Sequence, residues 1–84
     1  MLTLQHFVLR TKALNMYRAA IRTSKGIPDP TARRETIAWI RTEFEQAGQL
    51  EDIDAIKSRL SSLRRDLKEI LPSFGLTSSK SDHP

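Results

Sequence analysis

The stretch IDAIKSRLSSLRRDLKEILPSF, residues 53–74, decides the fold. In it Ile53, Ile56, Leu60, Leu63, Leu67, Ile70 and Phe74 recur at alternating spacings of three and four, and mostly charged or small polar residues fill the places between. That period is one apolar stripe on an α-helix, of the kind that packs against neighbouring helices at a shallow angle. Pro72 has no amide to donate and limits regular helix beyond Leu71. The residues that follow, 77–84, offer no apolar anchor and are expected to form a mobile, disordered tail outside a domain spanning residues 1–76.

Moving back along the chain, Gly26-Ile27-Pro28-Asp29-Pro30 reads as a break followed by a restart. Asp29 can accept from the orphan amides of a new helix, and Pro30 suits its first turn. A helix from there to Ala47, stopped by Gly48, carries Ile37, Ile40, Phe44 and Ala47 on one face, with Trp39 almost opposite. A third amphipathic segment, from about Thr3 to Ser24, gathers Phe7, Leu9, Ala13, Leu14, Met16, Tyr17, Ala20 and Ile21 within one half of a helical wheel. No run shows the period-two alternation of a strand. The predicted fold is therefore all-α, an antiparallel three-helix bundle running up-down-up, because short connections make successive helices antiparallel neighbours.

The 84 residues allow one modest core, since a chain of this size buries only roughly 60–65% of its unfolded surface. A stabilising partner is plausible on that ground alone. No window approaches the ~18 apolar residues of a membrane span. There is no cysteine, so disulfides and thiolate metal sites are excluded, and His6 and His83 stand at opposite ends of the chain, which makes a metal site unexpected. The net charge of +4 is unevenly placed: residues 1–28 hold five bases and no acid, whereas the remainder holds nine bases against ten acids. An acid-free, arginine-containing amphipathic N-terminus has the character of a mitochondrial import signal. A nucleic-acid surface is the other use of such charge, but here the bases alternate with a broad apolar face and form no dense block. Catalytic constellations are missing, since Glu43 and Glu45 read as a solvated face and Ser61 and Ser62 have no neighbouring base.

Three arginines depart from a plain bundle. Arg10 falls between Tyr17 and Ile21 on the apolar half of the first helix, Arg33 falls amid Ile37, Ile40 and Phe44 on the second, and Arg41 flanks that same face. Each can bury its stem and keep its head in water. Alternatively, the three form a basic rim beside an apolar opening, suited through forked, charge-assisted bonds to carboxylates or phosphates. The apolar residues between them would then receive an alkyl chain; the opposing possibility is a core with no cavity. Trp39 is either a single exposed aromatic or an anchor at a protein contact.

Met16-Tyr17-Arg18 on the first helix and Arg41-Thr42-Glu43-Phe44 on the second resemble the paired signature of the LYR-motif family, the complex I LYR-like proteins, with methionine in place of the leucine of Leu-Tyr-Arg. The likeness extends over Leu2-Thr3-Leu4, Phe7-Val8, Ile21, Pro28, Arg33 and Trp39, and covers roughly residues 2 to 71. It implies a non-catalytic three-helix adaptor of the mitochondrial matrix that binds the mitochondrial acyl carrier protein. It further implies an acyl-phosphopantetheine brought by that partner, and no cofactor of the chain's own. By the resemblance, Arg10, Tyr17, Arg18, Arg33, Arg41 and Phe44 would contact the carrier. Leu14, Ile21, Ile37, Ile40, Ile56, Leu60 and Leu63 would line the acyl chain. By the resemblance, members serve as subunits or assembly factors of respiratory complexes, iron–sulphur machinery or the mitoribosome, and the likeness favours respiratory complex I as the client. Two alternatives stand beside this reading: a helical interaction module that binds a partner helix without any acyl carrier, and a small basic RNA-binding subunit.

Overall fold

Thr3 opens the first helix by a reciprocal contact that the sequence pattern conceals. In the computed structural model, which describes residues 2–74, α1 runs Leu4–Ser24. The Thr3 hydroxyl accepts from the His6 amide, and Nδ1 of His6 accepts from the Thr3 amide at 3.1 Å. This is a capping box in which histidine stands where glutamate or glutamine is usual. With Nδ1 accepting, Nε2 carries the ring proton and donates to the carbonyl of Glu51. His6 is thereby buried and ties the start of α1 to the connection ahead of the third helix. The second helix, α2, spans Pro30–Ala47, with the Asp29 carboxylate accepting from the Ala32 amide at 2.8 Å and Pro30 in the first turn. The third, α3, spans Ile53–Ile70 and is capped the same way, Asp52 accepting from the Ala55 amide at 2.9 Å.

Because His6 reaches Glu51, α1 and α3 start at the same end of the molecule and α2 runs between them in the opposite sense. Each helix touches the other two, which gives the up-down-up bundle. Its interior is two clusters stacked along the axis. One joins Leu9, Ala47, Ile56, Leu60 and Leu63, and the other joins Ala20, Ile40, Leu67, Leu71 and Phe74. Ile40, Leu63 and Leu67 are at most 1% exposed, and each such side chain contributes about 1.5–3 kcal/mol of transfer free energy. Met16, Trp39 and Phe44 pack against both clusters.

Several expectations shift. The stripe on α3 ends on Leu71, which is 3% exposed, and not on Ile70, which is 45% exposed. Leu71 precedes Pro72 and leaves the helix at φ −120°, ψ 88°. A turn closed by the Phe74 amide on the Leu71 carbonyl then folds both side chains under the second cluster. Trp39 is neither an exposed aromatic nor opposite the core: α2 has two helical neighbours, so its buried arc widens to run from Trp39 round to Phe44. Phe7 and Leu14, which fall on the apolar half of α1, are 67% and 46% exposed. Gly48 follows the last residue of α2 with φ −68°, so the stop there needs no left-handed backbone. Glu43 is only half-solvated, because Arg59 pairs with it at 3.2 Å. The expected tail, residues 77–84, and the domain edge at residue 76 lie outside the described residues.

Trp39→Ala is expected to lower the unfolding free energy by about 2 kcal/mol, less than for a fully buried tryptophan because the ring is half-buried. Urea denaturation followed by circular dichroism measures it. A change within about 0.5 kcal/mol, as for an exposed aromatic, would contradict the bridging role.

Candidate binding groove

The first cluster is not closed on all sides. Beside it a groove of about 750 Å³ opens to solvent between α1 and the end of α2. Its floor is apolar: Leu9, Ala13 and Leu14 come from α1, Ala47 and Leu50 from the end of α2 and the connection after it, and Ile56 and Leu60 from α3. Tyr17 and Phe44 both line it and meet with ring centroids 5.6 Å apart and planes at 67°, an edge-to-face pair. Arg10 and Arg41 stand on the rim from two different helices, joined by Glu45 one turn beyond Arg41. The groove exists because small side chains stand where large ones would have filled it: Ala13, Ala47 and Gly48 leave the helices' inner surfaces bare at this level.

Of the residues the sequence singled out, the fold brings Arg10, Leu14, Tyr17, Arg41, Phe44, Ile56 and Leu60 together. The rest go elsewhere. Arg33 does not complete the rim: it sits in the first turn of α2, roughly two turns from Arg41, and its guanidinium donates to the Ile27 carbonyl at 2.8 Å. That bond fastens the α1–α2 connection. Arg18 is exposed on α1 and does not line the groove. Ile40 and Leu63 are sealed in the two clusters, Ile21 packs against the second, and Ile37 is half-buried without facing the groove. Sequence reading passed over Leu9, Ala13, Ala47, Gly48, Leu50 and Glu45 as site residues. Glu45 was legible as the residue one helical turn after Arg41, whereas Leu50 lies in a connection where helical period gives no signal.

Among the described residues the one ion pair is Arg59 with Glu43, and Arg59 also donates to Gln46 at 3.0 Å. Arg10 and Arg41 take part in no ion pair there and both are exposed, so two solvated guanidinium groups stand beside an apolar trough. The site is thus matched to an amphiphile that has an anionic head and an apolar body.

Comparison with known proteins agrees with the signature residues. The family described as Complex 1 protein (LYR family) matches residues 11–69, most of the chain. The chain belongs to the LYR family. Among curated members, LYR motif-containing protein 2 of Xenopus tropicalis is 34% identical, the alignment covering 93% of this chain and 90% of that protein. The protein of the same name from Salmo salar is 32% identical over 94% of this chain and 88% of its own length. The Homo sapiens protein is 30% identical over 93% and 89%. No solved structure gives a significant match. In this LYR protein the three motif positions point to three places: Met16 bridges the clusters, Tyr17 faces the groove, and Arg18 is exposed to solvent. Methionine serves the bridging position well, since its unbranched, polarizable side chain fills irregular space.

An anionic aromatic dye, anilinonaphthalene sulfonate, has the head and body that the groove fits and is expected to fluoresce on binding. Reversing both rim charges, Arg10→Glu with Arg41→Glu, should weaken it about three- to tenfold. Equal titration curves for two equally folded proteins would contradict the assignment of the rim.

Proposed function

We propose that this chain is a non-catalytic adaptor of the mitochondrial matrix that binds an acylated acyl carrier protein and holds it within, or on the way to, a larger complex. Respiratory complex I is the favoured client. The observation that carries the reading is the juxtaposition of Arg10 and Arg41 with the apolar trough between Tyr17 and Leu50. A carrier presents acidic helices, and its prosthetic group is a phosphate followed by a polar arm and then an acyl chain. Those parts fall in the same order as rim and floor. Guanidinium groups hold carboxylates and phosphates by forked, charge-assisted bonds. Each methylene that leaves water for the trough contributes about 0.8 kcal/mol, less the costs of ordering and association.

Two further features support an adaptor. Leu4, Phe7 and Val8 are exposed on α1 and do not line the groove, which leaves apolar surface for a client while the carrier is bound. The acid-free first helix also keeps the character of an import signal, which supports the matrix as its compartment. The rival reading, a coiled-coil module using the α3 stripe, loses its surface, because Ile56, Leu60, Leu63 and Leu67 are already buried within the bundle.

In this mechanism acylation regulates stability. A ligand that binds only the folded state adds RT ln(1 + [L]/Kd) to the unfolding free energy, so a carrier with a bound chain lends stability that an unloaded carrier does not. The adaptor would report the supply of acyl groups to its client.

Calorimetric titration of octanoyl-carrier into the chain is the test. Arg41→Glu is expected to weaken binding about tenfold and to flatten its salt dependence, because a rim charge acts on both encounter and affinity. Undiminished affinity for the reversed variant would remove the rim from the account. No heat with any acylated carrier would remove the function itself.

A further inference from the structure

We propose that the outward face of α1 docks on the surface of a bilayer that contains anionic lipid, its apolar first turns entering the acyl boundary and its bases meeting the phosphates. The inference does not rest on the groove, and the residues that carry it do not line the groove.

Of the large apolar side chains exposed among the described residues, Leu2, Leu4, Phe7, Val8 and Leu14 belong to α1 or its lead-in, and only Ile70 lies elsewhere. Leu14 borders the groove, whereas the other four serve neither the core nor that site. At 100° per residue Leu4, Phe7, Val8, Arg18 and Arg22 fall within an arc of about 100°, opposite the buried Leu9 and Ala20. The outward face is therefore apolar at its N-terminal end and basic at its C-terminal end, and Lys12 flanks it one turn past Val8. Residues 1–28 hold no acid, and of their five bases only Arg10 lines the groove. Lys12, Arg18, Arg22 and Lys25 are all exposed.

That combination fits a bilayer better than a folded protein. A helix that sets leucine and phenylalanine beside lysine and arginine lies in the membrane interface, where anionic headgroups attract each base. The face is the convex surface of one helix, so a protein must bring a matching groove to it, whereas lipid takes its shape. The first turn is also prepared for an apolar medium. Thr3 and His6 satisfy each other's amides in the capping box, which leaves fewer orphan donors to desolvate as Leu4 and Phe7 enter. Among the described residues no helix is long and apolar enough to cross a membrane, and the docking proposed is peripheral. A client that meets the adaptor on this face is then one presented at a membrane surface.

Co-sedimentation of the whole chain with vesicles tests the face. Binding is expected to vesicles of equal parts phosphatidylserine and phosphatidylcholine, with little to phosphatidylcholine alone, and it should fall as salt screens the bases. Lys12→Glu with Arg18→Glu should weaken it about tenfold or more. Leu4→Ser with Phe7→Ser, which leaves every charge in place, should also weaken it about tenfold or more. Arg34→Glu with Arg65→Glu makes the same change in net charge on α2 and α3 and should cost at most about twofold. All six positions are exposed, so the fold, followed by circular dichroism, is expected to be kept. Equal losses from the two charge reversals would reduce the effect to net charge and overturn the proposal. So would full binding by the serine variant, equal binding to both kinds of vesicle, or binding to neither, the last of which leaves the face to a protein partner. The carrier is absent from every arm, so the reading of the groove stands or falls separately.

Discussion

Met16, Trp39 and Phe44 form the layer on which the rest of this molecule depends, since they alone among these helices' larger side chains pack against both buried clusters. Three helices of this length supply too little apolar surface for one broad core. They supply enough for two small clusters, provided that something transmits the packing of one to the other. The layer does this with one residue from α1 and two from α2, all half-buried. Its position then decides what lies on either side. On one side Ile40 and Leu67 are sealed, and the turn through Leu71 and Phe74 closes the end. On the other, the small residues Ala13, Ala47 and Gly48 leave the trough open.

An open trough beside a core costs dispersion contacts, because atoms lining a void lack partners on one side. The chain compensates at the open end with polar ties. His6 joins the first turn of α1 to the Glu51 carbonyl, and Arg59 joins α3 to Glu43 and Gln46 on α2. These contacts hold the frame of the groove while leaving its floor bare and its rim arginines unpaired among the described residues. Such a frame fits a protein that is completed by its ligand, with stability that rises when the trough is filled.

Helical period made the architecture legible. The stripe through Ile56, Leu60, Leu63 and Leu67 and the restart at Asp29-Pro30 translate directly into α3 and into the start of α2. Half of the site was legible for the same reason, since Arg10, Tyr17, Arg41 and Phe44 lie at helical spacings and converge. What the period could not show was the number of neighbours each helix has. That is why Trp39 read as turned away and is in fact bridging, and why Arg33 read as part of the rim when its axial level takes it to the Ile27 carbonyl. It also could not show a long-range tie made by an unusual residue: His6 replaces the glutamate or glutamine of a capping box and reaches a backbone carbonyl, a partner with no side-chain signature. Nor does period reach Leu50 in a connection, or separate Ile70 from Leu71 where Pro72 bends the chain.

The central claim is that the trough itself receives the acyl chain. Nuclear Overhauser contacts between an isotope-labelled octanoyl group on the carrier and methyl-labelled adaptor test it most directly. The account predicts contacts from the chain to the methyls of Leu14, Ile56 and Leu60 and none to those of Ile40 or Leu67. A chain whose protons contact only the carrier's own interior, with the two proteins bound, would contradict it.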